Sequence, residues 1–61
     1  MCEFNVIING NIVFEDAVYA KAFGSRVIVK DILGEAKEFQ NYKIVELNVN
    51  TQHLILASIE R

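Results

Sequence analysis

Proline and tryptophan are absent from this chain, cysteine and histidine occur once each, and glycine occurs three times. Without proline or a Gly/Ser-rich tract there is no rigid or flexible linker to divide the chain. A lone cysteine cannot form an intramolecular disulfide. Charge of neither sign prevails: six Lys and Arg face eight Asp and Glu, for a net charge of −2. The basic residues Lys21, Arg26, Lys30, Lys37 and Lys43 are interleaved with acids. Nucleic acid is therefore not an expected partner, unless Lys21, Arg26 and Lys30 converge on folding. No apolar run approaches the roughly 20 residues of a membrane-spanning helix, so no membrane association is expected. The carboxylates Glu15, Asp16, Asp31, Glu35 and Glu38 have no spacing that dictates a catalytic dyad. No Ser-His-Asp set, phosphate loop or CxxC pair is present, and the chain is not expected to be an enzyme.

What is present is apolar. The chain has 61 residues, of which 52% are hydrophobic, and reads as a single domain over 1–61. A domain of this size buries only about 60% of its unfolded surface. Without a disulfide, such domains lean on a metal or on oligomerisation. A second copy of the same chain is the simplest partner for surplus apolar surface. A single free thiol and no recognisable export signal lead to the expectation of a cytoplasmic protein.

Alternation marks short strands. Cys2, Phe4, Val6 and Ile8 fall on one strand face. Asn9-Gly10 is a strong two-residue hairpin signal, pairing Ile8 with Asn11, Ile7 with Ile12 and Val6 with Val13. A second strand covers Asn11 to Phe14, with a corner at Glu15-Asp16. Ala17 to Ala22 predicts a third, with Val18, Ala20 and Ala22 on one face. Phe23-Gly24-Ser25 turns the chain. Arg26 to Leu33 is rich in β-branched residues, with Val27 and Val29 on one face and Ile28 and Ile32 on the other. A tight turn at Gly34-Glu35 leads back through Ala36 to Phe39. Lys43 to Val49 alternates, which places Val45, Leu47 and Val49 inward. His53 to Ile59 is the last strand, with Leu54 and Leu56 inward. Six to seven short antiparallel strands at this spacing predict an all-β fold, a small closed or half-open barrel. Closure also removes bare strand edges.

Chemistry concentrates at Cys2. The thiolate, the Cys2 amide nitrogen and the amine of Met1 can grip one ion through adjacent chelate rings. Sulfur with nitrogen in a planar arrangement suits Ni(II) or Cu(II). If Met1 is removed, the amine becomes that of Cys2 and still reaches the metal. One chain supplies at most three such donors, whereas a square-planar ion takes four. Two Cys2 residues meeting at a two-fold axis would complete the set. The bland alternative is a small buried hydrophobe on the Phe4/Val6/Ile8 face. His53 could be an auxiliary ligand, but alternation turns it away from Leu54 and Leu56 and towards the surface. Glu3 reads as a solvated strand residue that could offer an oxygen.

The opening Met1-Cys2-Glu3-Phe4-Asn5-Val6 resembles the start of the CooT-type family of small nickel-binding proteins. So do Val18-Tyr19-Ala20-Lys21, Val27-Ile28-Val29-Lys30-Asp31-Ile32-Leu33-Gly34-Glu35 and Lys43-Ile44-Val45-Glu46-Leu47-Asn48-Val49. The resemblance implies an SH3-like small barrel, a homodimer, and nickel held by Cys2. It also implies a metallochaperone that binds one Ni(II) per dimer and serves a nickel enzyme under assembly. Two alternatives stand beside it. One is a small β-barrel that binds RNA, a label given to such proteins by fold analogy. The other is a metal-free assembly chaperone acting through protein–protein contacts, as in HypC-type proteins. Those also begin Met-Cys but continue with a proline that this chain lacks.

Overall fold

The computed structural model describes residues 3–59. Six strands form one sheet: β1 (Phe4–Ile8), β2 (Asn11–Phe23), β3 (Arg26–Asp31), β4 (Ala36–Gln40), β5 (Tyr42–Asn48) and β6 (His53–Ser58). No helix is present among the described residues. The order across the sheet is β4-β3-β2-β1-β6-β5. All junctions are antiparallel except β1–β6, which is parallel.

The turns follow their residues. Asn9 (φ 55°) and Gly10 (φ 80°) both take the left-handed conformation, the requirement of a type I′ hairpin. Ile8 pairs with Asn11 and Ile7 with Ile12, as the loop length dictates. Val6 then pairs with Phe14, not Val13. An extra residue at Val13 is the reason, since a bulge sets two residues of one strand against one of its partner. Between β3 and β4 the expected two-residue turn is a four-residue loop, and β3 ends at Asp31 instead of Leu33. Asp31 closes that loop itself. Its Oδ1 accepts from the amides of Leu33 and Glu35, each at 2.9 Å.

The strands expected at Asn11 to Phe14 and Ala17 to Ala22 are one 13-residue strand. Three register shifts interrupt it: at Val13, at Glu15-Asp16 and at Val18. Asp16 has φ 61°, so the corner read at Glu15-Asp16 is a bulge within a continuous strand. Bulges bend a strand and raise its twist. β2 thereby serves two partners, β1 along its first half and β3 along its second. Ala17 is the pivot. It pairs with both Phe4 and Asp31 and is fully buried. The bulge at Val18 also corrects the expected face: Ala17 and Ala20 approach the core, while Val18 and Ala22 are exposed.

The bent sheet closes over Val6, Ala17, Val27, Val29, Phe39, Leu54 and Leu56. Val27, Val29, Leu54 and Leu56 are buried as their alternation requires. Curvature brings β5 back over β3. At that corner the Asn41 amide donates to the Ser25 carbonyl (2.6 Å), and Phe39 meets Tyr42 edge to face, with ring centroids 6.3 Å apart. No ladder joins β4 to β5. The fold is thus all-β as expected, but it is a half-open barrel with one long strand and one parallel junction. β4 and β5 are its edges.

β5 carries the main departure from the sequence pattern. Val45, Leu47 and Val49 were expected inward, yet they are 53%, 55% and 70% exposed. A bulge at Val45 breaks the alternation. Leu47 does pair with Leu54 on the inner side. It lies at the margin of the core, where no further strand covers it.

Candidate metal centre

Met1 and Cys2, the metal ligands read from the sequence, lie outside the described residues. The described residues begin with the next residue, Glu3. Glu3 and Phe4 line an open, mainly apolar depression together with Leu47, Asn48, Val49 and Gln52. Phe4 begins β1, Leu47 and Asn48 end β5, and Val49 and Gln52 belong to the β5–β6 turn. Two local devices build that rim. The Asn48 side chain accepts from the amides of Asn50 (3.0 Å) and Thr51 (3.2 Å), which fixes the turn. The Asn5 amide donates to the Gln52 carbonyl at 2.9 Å, which holds the turn against the start of β1.

His53 stands next to this rim. It is half-buried, and it pairs with Asn5 of β1 on one side and Asn48 of β5 on the other. In sequence His53 is remote from the N-terminus. The parallel β1–β6 junction is what sets it beside residue 5. Alternation reads His53 correctly as facing away from Leu54 and Leu56. A parallel junction between the first and last strands leaves no local mark in the sequence, so this proximity was not legible there.

No group of three or more His, Cys, Asp or Glu side chains that could hold a metal occurs among the described residues. The carboxylates do not assemble into a site. Glu15 and Asp16 are exposed at the β2 bulge, Glu35 is exposed in the β3–β4 loop, and Glu38 pairs with Arg26 at 3.2 Å. No buried side-chain nitrogen or oxygen lacks a partner among the described residues.

Residues 1–57 match the family model described as CO dehydrogenase accessory protein CooT. The chain belongs to the CooT family. It is also 39% identical over 51 residues to the uncharacterized protein MJ1551 of Methanocaldococcus jannaschii, covering 82% of this chain and 90% of that protein. CooT is by description an accessory protein of an enzyme, and the match takes in the N-terminal residues, β1 through β5 and most of β6. No helix among the described residues is long and apolar enough to cross a membrane.

Proposed function

We propose that this CooT-family chain is a cytoplasmic metallochaperone that carries Ni(II) for a nickel enzyme under assembly. Cys2 is the principal ligand. The observation that carries the reading is the family match over residues 1–57, joined to the donor set at the N-terminus. A thiolate, an amide nitrogen and an amine fit a planar nickel ion, and two chains supply four or more such donors. Nickel is the cargo, held at one ion per homodimer. Met1 contributes its amine where it is retained.

The apolar rim supports a shared site. Phe4, Leu47 and Val49 line a depression together with Glu3, the residue that follows Cys2 in the sequence. A second copy seated on that rim would cover exposed leucine and valine and bring its own Cys2 to the same place. The client is an enzyme of the kind named by the family, a CO dehydrogenase.

The test is an anaerobic titration of reduced protein with Ni(II), followed by ultraviolet–visible absorption and by solution mass. Thiolate-to-nickel charge-transfer bands that saturate at one ion per two chains are the expected result. Absence of both bands and uptake would remove the metal role and leave a chaperone that works through protein contacts alone.

A further inference from the structure

Turn positions favour Gly, Pro, Asn, Asp and Ser. The β3–β4 loop instead opens with two large aliphatic residues, Ile32 and Leu33. Ile32 is 52% exposed and Leu33 82%, the highest value for a large hydrophobic among the described residues. Neither belongs to the core or packs against it. Val18 is exposed too, at the β2 bulge beside the end of β3. Single exposed apolar side chains are ordinary, whereas neighbouring ones on a fixed support mark a contact surface.

The support here is fixed. Four hydrogen bonds tie the loop to Asp31. Its Oδ1 accepts from the amides of Leu33 and Glu35, its carbonyl accepts from the Gly34 amide (3.0 Å), and its own amide donates to the Glu35 carbonyl (2.9 Å). Acids surround the tip. Glu35 is in the loop, and Glu15 and Asp16 precede Ala17, the β2 partner of Asp31. All three are exposed. Of the cations, Lys30 precedes Asp31, and its ammonium lies 5.1 Å from the centre of the Tyr19 ring.

We infer that the β3–β4 tip is a docking knob for the client protein, whose matching surface is an apolar pocket rimmed by Lys and Arg. This rests on the client reading above. Leu33 enters the pocket, and Glu15, Asp16 and Glu35 face the basic rim. The same acids repel nucleic acid and anionic membrane. A second copy does not fit the knob either: its apolar depression offers Glu3 as the charged lining residue. A loop already held by four bonds loses little freedom on binding, which lowers the cost of docking. Its place in the sheet suits delivery. Phe4 pairs with Ala17 and Ala17 with Asp31. Two strand spacings, about 10 Å, therefore separate the start of β1 from the root of the knob. Glu3, just before β1, follows Cys2 in the sequence.

The experiment is biolayer interferometry of the full chain against nickel-free CO dehydrogenase from the same organism. Saturable binding is expected, weaker as salt rises because the acids around the knob are exposed. Leu33→Ser is expected to weaken it about tenfold, the loss of burying one leucine. Ile12, 52% exposed in β2 next to the Asn9-Gly10 hairpin, is the control. Ile12→Ser is expected to leave binding within about twofold. Glu35→Lys is expected to weaken binding and flatten its salt dependence. Circular dichroism checks that the variants fold, and solution mass and nickel uptake of Leu33→Ser are expected to match the wild type. Wild-type binding with no loss at Leu33, or with equal losses at Leu33 and Ile12, overturns the inference alone. So does tighter binding of Glu35→Lys. A changed solution mass in Leu33→Ser also overturns it and assigns the knob to contacts between copies. Lack of wild-type binding overturns the client reading and this inference together. Cys2→Ser is expected to dock unchanged, so docking by a chain that takes up no nickel would overturn the metal reading and leave the knob.

Discussion

Under the proposed nickel reading, Cys2 would supply the thiolate beside the amine of Met1. Cys2→Ser is accordingly expected to abolish nickel uptake in the absorption titration while the thermal unfolding midpoint of the metal-free protein stays within about 2 °C. Uptake by the wild type is expected to weaken as pH falls, because protons compete with nickel for the thiolate and the amine. The same titration stepped down in pH reads that loss, and an affinity independent of pH would count against thiolate ligation. Stability rests on other residues. Leu54 is 2% exposed, and Leu54→Ala is expected to cost about 2–5 kcal/mol in urea unfolding through the lost contacts and the cavity left behind. Leu33 is 82% exposed, and Leu33→Ser is expected to change stability by less than about 0.5 kcal/mol. Side-chain type does not separate these two leucines; their places in the sheet do.

Among the elements, β2 decides the shape. A strand without its three bulges would carry Val18 inward and Ala17 outward, and one partner would lose its register. Bulges at Val13, Glu15-Asp16 and Val18 turn the strand so that its two halves serve β1 and β3. The β5–β6 turn is the second element with consequences, because it forms one wall of the apolar rim. Its fixed point is Asn48, which accepts two backbone amides. Asn48→Ala is expected to loosen the turn by about 1 kcal/mol, the net worth of such hydrogen bonds. Amide exchange should then quicken at Asn50 and Thr51 while β3 remains protected. Uniform acceleration across the sheet would mean that Asn48 supports the whole fold. The Asn9-Gly10 hairpin was readable because its two left-handed residues are a local requirement. The bulges were not, since they arise from competition between two partners for one strand.

Across the whole molecule, one sheet folded over seven buried side chains leaves much apolar surface uncovered. The molecule measures 37 × 22 × 16 Å. Its short dimension is that of two packed layers about 10 Å apart. The uncovered apolar residues include Ile44, Val45, Leu47 and Val49, on or just beyond the edge strand β5. A bare, apolar edge invites pairing with another chain. If this rim is where two copies meet, Leu47→Lys with Val49→Lys is expected to convert the dimer to a monomer in sedimentation equilibrium. The one-to-two nickel stoichiometry would be lost with it. A dimer that survives both changes would place the interface elsewhere.

The sequence by itself determined what depends on neighbours along the chain. Alternation and turn residues set the all-β class, the Asn9-Gly10 hairpin, and the burial of Val27, Val29, Leu54 and Leu56. Residue chemistry singled out Cys2 and Met1 as candidate donors, which lie outside the described residues. Tertiary structure decided what depends on partners distant in sequence. It joined β1 to β6 in parallel and so set His53 beside Asn5. It left the alternating face of β5 uncovered, because β5 is the last strand of a sheet that stays open. It gathered Lys21, Arg26 and Lys30 on one face, because the pairing of β2 with β3 aligns residues that lie on two different strands. Strand register is a long-range property, and a single strand's pattern carries its periodicity but not the identity of its neighbour.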